Sequence, residues 1–521
     1  MASTHLEVES KFDVDSSFAL PDLLGLDGVS AVELPVEQTL EATYFDTADL
    51  RLLNARITLR RRTGGDDAGW HLKLPAAGSA RLERHEPLGP ATMTVPKPLA
   101  QLVRVRVRSA PLVPVAMLRT RRVVHRLLGA EGVVLAEVAD DTVVATTLAT
   151  APGEATRTTT WREVEVELVS GREGVLAEAG KRLRSAGARP ATSASKVGRA
   201  LASKKSETPE QTAQATPEQA VEKAPQRQPK KKPVPPTAGD VARAHLASLV
   251  EELQAWDPYV RLDRDDAVHK MRVATRKLRS ALATDRPLIA RAATDPLREE
   301  LKWLGSVLGG ARDAEVLRAR LRAEADALPP ELDVGPETAR IDRELAERYR
   351  TAHEAVLVEL NGTRYLELVL ALERLVASPP FTDRAGRAAA KEIPRVVRHT
   401  RRRVERAVSA LAGDGDRDPL LHEVRKAAKR ARYAAEASAG LVGRKAEVFA
   451  RRMEDIQEIL GRHQDGVVSR AELRGMGMRA HDAGETGFTY GLLYGIELAH
   501  AERDEQAFAR AWASAKRQSW P

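Results

Sequence analysis

The sequence predicts an α+β chain of two unlike parts, an N-terminal antiparallel β-barrel that encloses a tunnel and a C-terminal part made only of helices. Three observations carry this. Residues 1–201 hold short β-type runs of alternating polarity, separated by turn residues such as Thr63-Gly-Gly-Asp-Asp. Residues 238–521 are rich in Ala, Leu, Glu and Arg, with loops expected near Pro329-Pro330, Pro379-Pro380 and Gly413 to Pro419. Residues 202–237 between them are polar, repetitive and free of aromatics; such a segment cannot bury a core and reads as a flexible linker.

Composition bounds the function. Of 521 residues, 43% are apolar, enough for two cores. Basic side chains number 82 and acidic ones 74, a net charge of only +8. Residues 1–200 carry 26 basic and 25 acidic side chains, so neither part is a general polyanion sponge and the placement of charge decides. The chain has no cysteine, which excludes disulfides, iron–sulfur clusters, Cys-ligated zinc and thiol nucleophiles. It has no run of 18 apolar residues, so no membrane span is expected and a cytoplasmic protein is.

Side chains alternate faces along a strand, so charge parity can be read element by element. The run Leu6–Phe12 puts Glu7, Glu9 and Lys11 on one face. Ile57–Thr63 offers Arg60 with Arg62, Trp70–Leu74 offers Lys73, and Ala116–Leu128 offers Arg119 with Arg121. In Val133–Val144, Glu137 shares a face with Asp141, with Asp140 as the alternative partner. Trp161–Val169 alternates Glu163, Glu165 and Glu167 with valine, and Lys196 follows. Any one of these is ordinarily a solvated face. Repeated over many strands, the charged faces need a common wet interior, which a closed barrel supplies. Its acids suit hard divalent cations and its Arg and Lys suit phosphate oxygens.

Taken in order, Glu7-x-Glu9-x-Lys11, Arg60-x-Arg62, the Lys73 strand and the closing Glu-x-Glu strand resemble the CYTH domain. This triphosphate tunnel metalloenzyme family includes inorganic triphosphatases, thiamine triphosphatases and class IV adenylate cyclases. The resemblance spans residues 1–201. It implies a catalytic core of Glu7, Glu9 and Lys11. It implies Mg²⁺ or Mn²⁺ held by Glu7, Glu9, the pair Glu137 with Asp141 or Asp140, and one or two of Glu163, Glu165 and Glu167. It further implies phosphates bound by Lys11, Arg60, Arg62, Lys73, Arg84, Arg119, Arg121 and Lys196. In-line attack by water then needs no side-chain nucleophile.

The C-terminal part contains a repeat. His269-x-x-Arg272-x-x-x-Arg276-Lys277-x-Arg279 aligns with His422-x-x-Arg425-Lys426-x-x-Lys429-Arg430-x-Arg432, and Leu308-Gly309 to Asp313 aligns with Leu460-Gly461 to Asp465. On helices, His269, Arg272, Arg276 and Arg279 share one face, as do His422, Arg425, Lys429 and Arg432. Like charges so spaced repel, so an anion or acidic partner must compensate two such stripes. A third basic run, Arg395 to Arg406, could join them. No second ligand sits at metal spacing beside either histidine, which argues against metal there.

These motifs resemble the CHAD domain over residues 238–517. The resemblance implies a pair of pseudosymmetric four-helix bundles that bind inorganic polyphosphate along the basic groove between them. The expected function is a divalent-metal-dependent hydrolase of inorganic triphosphate or short polyphosphate with an attached polyphosphate-binding module; association with polyphosphate granules goes with it. The alternative is a non-catalytic polyphosphate-binding protein. A complete set of tunnel carboxylates favours the enzyme. Aromatics of only 4% argue against nucleic acid.

Overall fold

Alternation of charge with Val, Leu or Thr builds the N-terminal sheet. The computed structural model describes residues 2–78, 80–89, 93–150, 153–205, 235–332 and 335–517, in two units, Met1–Gln226 and Arg227–Pro521. Of the segment 202–237 expected to be a linker, residues 206–234 lie outside the described residues. The first unit runs β1 (Ser3–Glu7), β2 (Glu9–Val14), β3 (Ala31–Val32), β4 (Val36–Asp46), α1 (Arg51–Asn54), β5 (Thr58–Thr63), β6 (Gly69–Pro75), β7 (Arg81–Glu86), α2 (Lys97–Leu102), α3 (Arg104–Val107), β8 (Val113–Leu128), β9 (Val134–Thr147), β10 (Arg157–Leu168), α4 (Glu173–Ser185), β11 (Arg189–Pro190) and α5 (Lys196–Lys205).

The strands form one antiparallel sheet in the order β1-β7-β6-β5-β4-β8-β9-β10-β2-β11, with β3 on β8. β1 pairs with β7 and β2 with β10, yet β1 and β2 are consecutive, parted only at Val8. The backbone carbonyl of Val8 accepts from the Leu168 amide at 3.0 Å. The opening segment thus serves both ends of the sheet and curls it into a tunnel. Outside, α4 lays Val175, Leu176, Ala179 and Leu183 on Phe12, Val138, Val164 and Val166. α5 packs Val197, Ala200 and Leu201 on Val115, Leu118, Val143 and Trp161. Each large apolar side chain so covered contributes roughly 1.5–3 kcal/mol. Under α4 the covered Phe12, Val164 and Val166 have the parity opposite to Glu9, Glu165 and Glu167, so covering one face turns the other inward. β4 and β7 lie outside the expected runs, because each mixes charged residues into both faces.

The second unit is helical among its described residues: α6 (Ala238–Arg261), α7 (Ala267–Thr284), α8 (Arg291–Asp326), α9 (Gly335–Asn361), α10 (Thr363–Ala377), α11 (Ala389–Ser409), α12 (Arg417–Val442), α13 (Arg444–Asp482) and α14 (Phe488–Lys516). A capping box starts α6, in which the Thr237 hydroxyl accepts from the Asp240 amide and the Asp240 carboxylate from the Thr237 amide, both at 3.1 Å. Helices α6 to α9 pack in succession, and so do α11 to α14; α10 joins the first set against α6, α8 and α9. The loops fall where the Pro and Gly clusters place them.

Candidate functional site

The tunnel of the first unit is a cavity of about 360 Å³ whose wall includes Glu7, Glu9, Lys11, Arg60, Arg62, Lys73, Glu137, Glu165, Glu167 and Lys196. Strand register puts its charges in rows. Glu9, Glu167 and Glu137 stand side by side on β2, β10 and β9, with Arg126 of β8 beyond. The next row sets Lys11 beside Glu165, Nζ to Oε1 at 2.5 Å. The third sets Asp13, Glu163, Asp141 and Arg122 in line. Arg122 forks onto both Asp141 oxygens at 2.8 and 2.7 Å and reaches Glu165 at 2.7 Å. Across the tunnel, Lys73 Nζ donates to Glu7 Oε1 at 2.5 Å and lies 3.5 Å from Glu83. Arg60 donates to the Tyr44 hydroxyl at 3.4 Å.

Two carboxylate groups behave differently. Asp141, Glu163 and Glu165 could converge on a cation, but Lys196 Nζ already sits 3.0, 2.7 and 2.6 Å from them. Burial opposes its charge, yet Glu165, Asp141 and Glu163 hold the Lys196 ammonium well above its usual range. Burial likewise opposes ionisation of Glu165, but Lys11, Lys196 and Arg122 keep it well below the usual carboxylate range. Glu167 has no ion-pair partner among the described residues. Burial, reinforced by Glu7 and Glu9 against the pull of Lys73, pushes its carboxyl up to about 7. Glu7 is 3% exposed, and its Oε2 has no hydrogen-bond partner among the described residues.

Three basic residues expected to bind phosphate, Arg119 and Arg121 from parity and Arg84 from the resemblance, lie elsewhere. Arg119 and Arg121 are on the outer face, 72% and 58% exposed, beside Glu41 and Glu37. The run Arg119-Thr-Arg-Arg122 offers both parities, and β8 turns Arg122, Val124 and Arg126 inward. Arg84 is also outward, bonded to Glu86 and Thr4, while Arg81, Glu83 and His85 face the tunnel. Arg122, Arg126, Glu83 and Tyr44 escaped the sequence reading. So did His71, whose Nδ1 lies 2.6 Å from Glu83 Oε1 and whose Nε2 lies 2.9 Å from the Asp67 carbonyl. The one usable signal was shared parity of Arg81, Glu83 and His85.

In the helical unit, α7 and α12 bring Arg272, Arg276, Arg425 and Lys429 into one another's fields. Arg272 lies 3.3 Å from Asp313. Arg425 feels Asp465 and packs beside Gly461, 3.5 Å from where a Cβ would stand. Burial and then Arg276, Arg425 and Arg272 press the Lys429 amine well below its usual range. Burial and Arg312 push His269 down to about 4; burial and Lys426 lower His422. Lys277, Lys426 and Arg432 are instead taken up by Glu252, by Glu423, and by Glu436 with Glu454. Burial and the field of Arg298 lower Arg279, and burial with Arg403, Arg279 and Arg298 lowers Arg430 against the pull of Glu423.

Comparison with known proteins places both units. A CYTH domain model matches residues 5–199 and a CHAD domain model matches residues 244–474. Over 513 residues the chain is 41% identical to the uncharacterized proteins Rv2226 and MT2285 from two strains of Mycobacterium tuberculosis, covering 96% of this chain and 94% of theirs. Among solved structures, PptA from Streptomyces chartreusis aligns with a TM-score of 0.46 and 23% identity, over 53% of this chain and 99% of that one. The CHAD domain from the plant Ricinus communis gives 0.44 and 24%, over 55% and 94%.

Proposed function

The chain belongs to the proteins that join a CYTH domain to a CHAD domain, and on that footing we propose that it hydrolyses inorganic triphosphate or short polyphosphate in its tunnel and holds polyphosphate on its helical unit. CYTH domains are those of triphosphate tunnel metalloenzymes, so a triphosphate-related role is common ground; the particular substrate and reaction are our reading. No described helix is long and apolar enough to cross a membrane.

The observation that carries the reading is the carboxylate row Glu9, Glu167, Glu137 facing a cationic wall of Arg60, Arg62 and Lys73. Like charges on adjacent strands are destabilising; Lys11 lies 3.0 Å from Glu9 and Arg126 2.9 Å from Glu137, so it is Glu167 between them that wants a cation. The orphaned Glu7 Oε2 and the unpaired Glu167 fit a hard, oxygen-seeking dication. Mg²⁺ or Mn²⁺ fits this set, held by Glu7, Glu9 and Glu167 with Glu137 beside them. When bound, such an ion neutralises phosphate charge and acidifies water.

The chain's own residues do the rest. Arg60 and Arg62 offer forked donors to phosphate oxygens, and Lys73 and Lys11 offer point charges. Their charge stabilises the equatorial oxygens as a water oxygen bonds the terminal phosphorus and the bridging P–O bond breaks. The products are orthophosphate and a shortened chain. The proton of that water ends on the phosphate products, since Glu167 would be committed to the cation. Lys196 stays caged among three carboxylates and holds β9 and β10 in register.

The test is phosphate release from tripolyphosphate, ATP, thiamine triphosphate and long polyphosphate with Mg²⁺ or Mn²⁺, beside the Glu7→Ala/Glu9→Ala variant. Turnover of tripolyphosphate that the variant loses is expected. Absence of turnover on every substrate, with polyphosphate binding kept, would leave a binding protein.

A further inference from the structure

A buried acidic cluster in the helical unit takes no part in the basic stripe. The sets α6–α9 and α11–α14 meet where α8 packs on α13 and α14. Leu317 and Leu321 of α8 join Leu473 and Met476 of α13 and Tyr490 and Leu493 of α14 in an apolar core there. Beside this core the contact turns polar. Glu324 follows Leu321 by three residues and Glu497 follows Leu493 by four, so each continues the face that its leucine buries. His500 follows Glu497 by three and shares that face. One ligand atom from each of Glu324, Glu497 and His500 lies within 4.8 Å of the others, and Glu324 Oε1 is 3.4 Å from His500 Nδ1.

The charges in this cluster do not balance. Glu497 is fully buried, and Arg320 forks onto both its oxygens at 2.5 Å but stays 3.6 Å from Glu324. One guanidinium thus faces two carboxylates, with Asp465 also in its field. The Glu324 side chain is 9% exposed, and its buried Oε2 has no hydrogen-bond partner among the described residues. Burial and Glu497, against the pull of Arg320, push the Glu324 carboxyl up to about 7, and the two carboxyls are in hydrogen-bond contact. In the tunnel a comparable trio of carboxylates is filled by Lys196, within 3.0 Å of all three. Here an imidazole stands where that ammonium would. Gly466 of α13 makes the room. A Cβ there would lie 3.0 Å from Glu497 Oε2 and 3.3 Å from the Arg320 guanidinium, which accounts for a poor helix former in mid-helix.

We propose that Glu324, Glu497 and His500 form a structural site for a first-row transition dication such as Zn²⁺, which pins α8 to α14 and so locks the two helix sets together. A Glu-x-x-His pair facing a glutamate from another helix is one way that helical bundles hold such ions. Mixed nitrogen and oxygen ligands suit Zn²⁺ better than Mg²⁺, which keeps to oxygen. The 3.4 Å from His500 Nδ1 to Glu324 Oε1 matches the edge of a tetrahedral site with bonds of about 2.0–2.1 Å. Each carboxylate oxygen has two lone pairs, so Glu497 can ligate while Arg320 holds it. His500 is one-third exposed and opens the site to solvent.

The test is equilibrium dialysis of the untagged full-length chain against micromolar Zn²⁺, with bound metal counted by mass spectrometry. The Glu7→Ala/Glu9→Ala background weakens competing uptake by the tunnel. Retention of one Zn²⁺ per chain is expected. His500→Ala and Glu324→Gln should each weaken that binding about ten-fold or more, whereas replacing an exposed histidine elsewhere on α13, His481→Ala, should not. Zn²⁺ should also raise the thermal midpoint of the parent and leave those of His500→Ala and Glu324→Gln in place. Circular dichroism checks that each variant keeps its helices, and His500→Gln replaces His500→Ala if the latter does not. Zinc uptake that neither substitution weakens, or no uptake, would overturn the proposal and leave a proton shared by Glu324 and Glu497 to meet the surplus charge.

Discussion

Arg121 and Arg122 are adjacent and do opposite things. Arg121 holds Glu37 in solvent at 2.5 Å, an exposed pair worth under about 1 kcal/mol. Arg122 neutralises Asp141 and Glu165 inside the tunnel, and removing one partner of a buried pair costs about 3–5 kcal/mol. Urea denaturation should therefore show a small loss for Arg121→Ala and a large one for Arg122→Ala. Titration with tripolyphosphate should show weakened binding only for the second. Glu167 gives a pH prediction. Its carboxyl is raised to about 7 in the folded chain, so without metal the folded state keeps a proton the unfolded state has lost. Stability then falls as pH rises from about 4.5 through about 7, by roughly 3 kcal/mol at most. A dication competes with that proton. Thermal unfolding should show Mn²⁺ stabilising the chain more at pH 8 than at pH 6, and Glu167→Gln should remove most of that difference.

At the scale of elements, strand pairing carries the site. Gly69 begins β6, where an added Cβ would lie 2.1 Å from His85 Nε2 and 2.7 Å from the Glu86 carbonyl on β7. A side chain can rotate away, but a ladder carbonyl cannot. Gly69→Ala should push β6 off β7, cost about 1–3 kcal/mol by denaturation, and weaken tripolyphosphate binding through displaced Lys73 and Glu83. Legibility in the sequence also divides by strand. On β10 the alternation of Glu163, Glu165 and Glu167 with valine is unambiguous, because one face had to be apolar. On β7 and β8, charges fall on both parities: Arg81, Glu83 and His85 face in while Arg84 faces out. Nothing in those runs says which face is covered; on β8 alternation alone selected Arg119 and Arg121, and on β7 the resemblance selected Arg84.

For the whole molecule, the joining of two phosphate-directed units in one chain makes a prediction of its own. A polyphosphate held on the helical unit raises the local concentration of chain ends at the tunnel. The intact chain should have a higher kcat/KM on long polyphosphate than an equimolar mixture of its separated units, and an equal one on tripolyphosphate. Equal rates on both would mean that the units act independently. Composition and periodicity alone determined that a sheet unit precedes a helical one, that the early acids and bases share strand faces, and that a basic helix is duplicated. These are local properties, set by a period of two or of about 3.6 residues. Only the tertiary structure decided that Lys196 is caged by three carboxylates while Glu167 is left without a cation. It also decided that Arg122 faces in and that Glu324 of α8 meets Glu497 and His500 of α14. Each of these depends on which strand or helix lies next to which, and therefore on burial and distance between residues far apart in the chain.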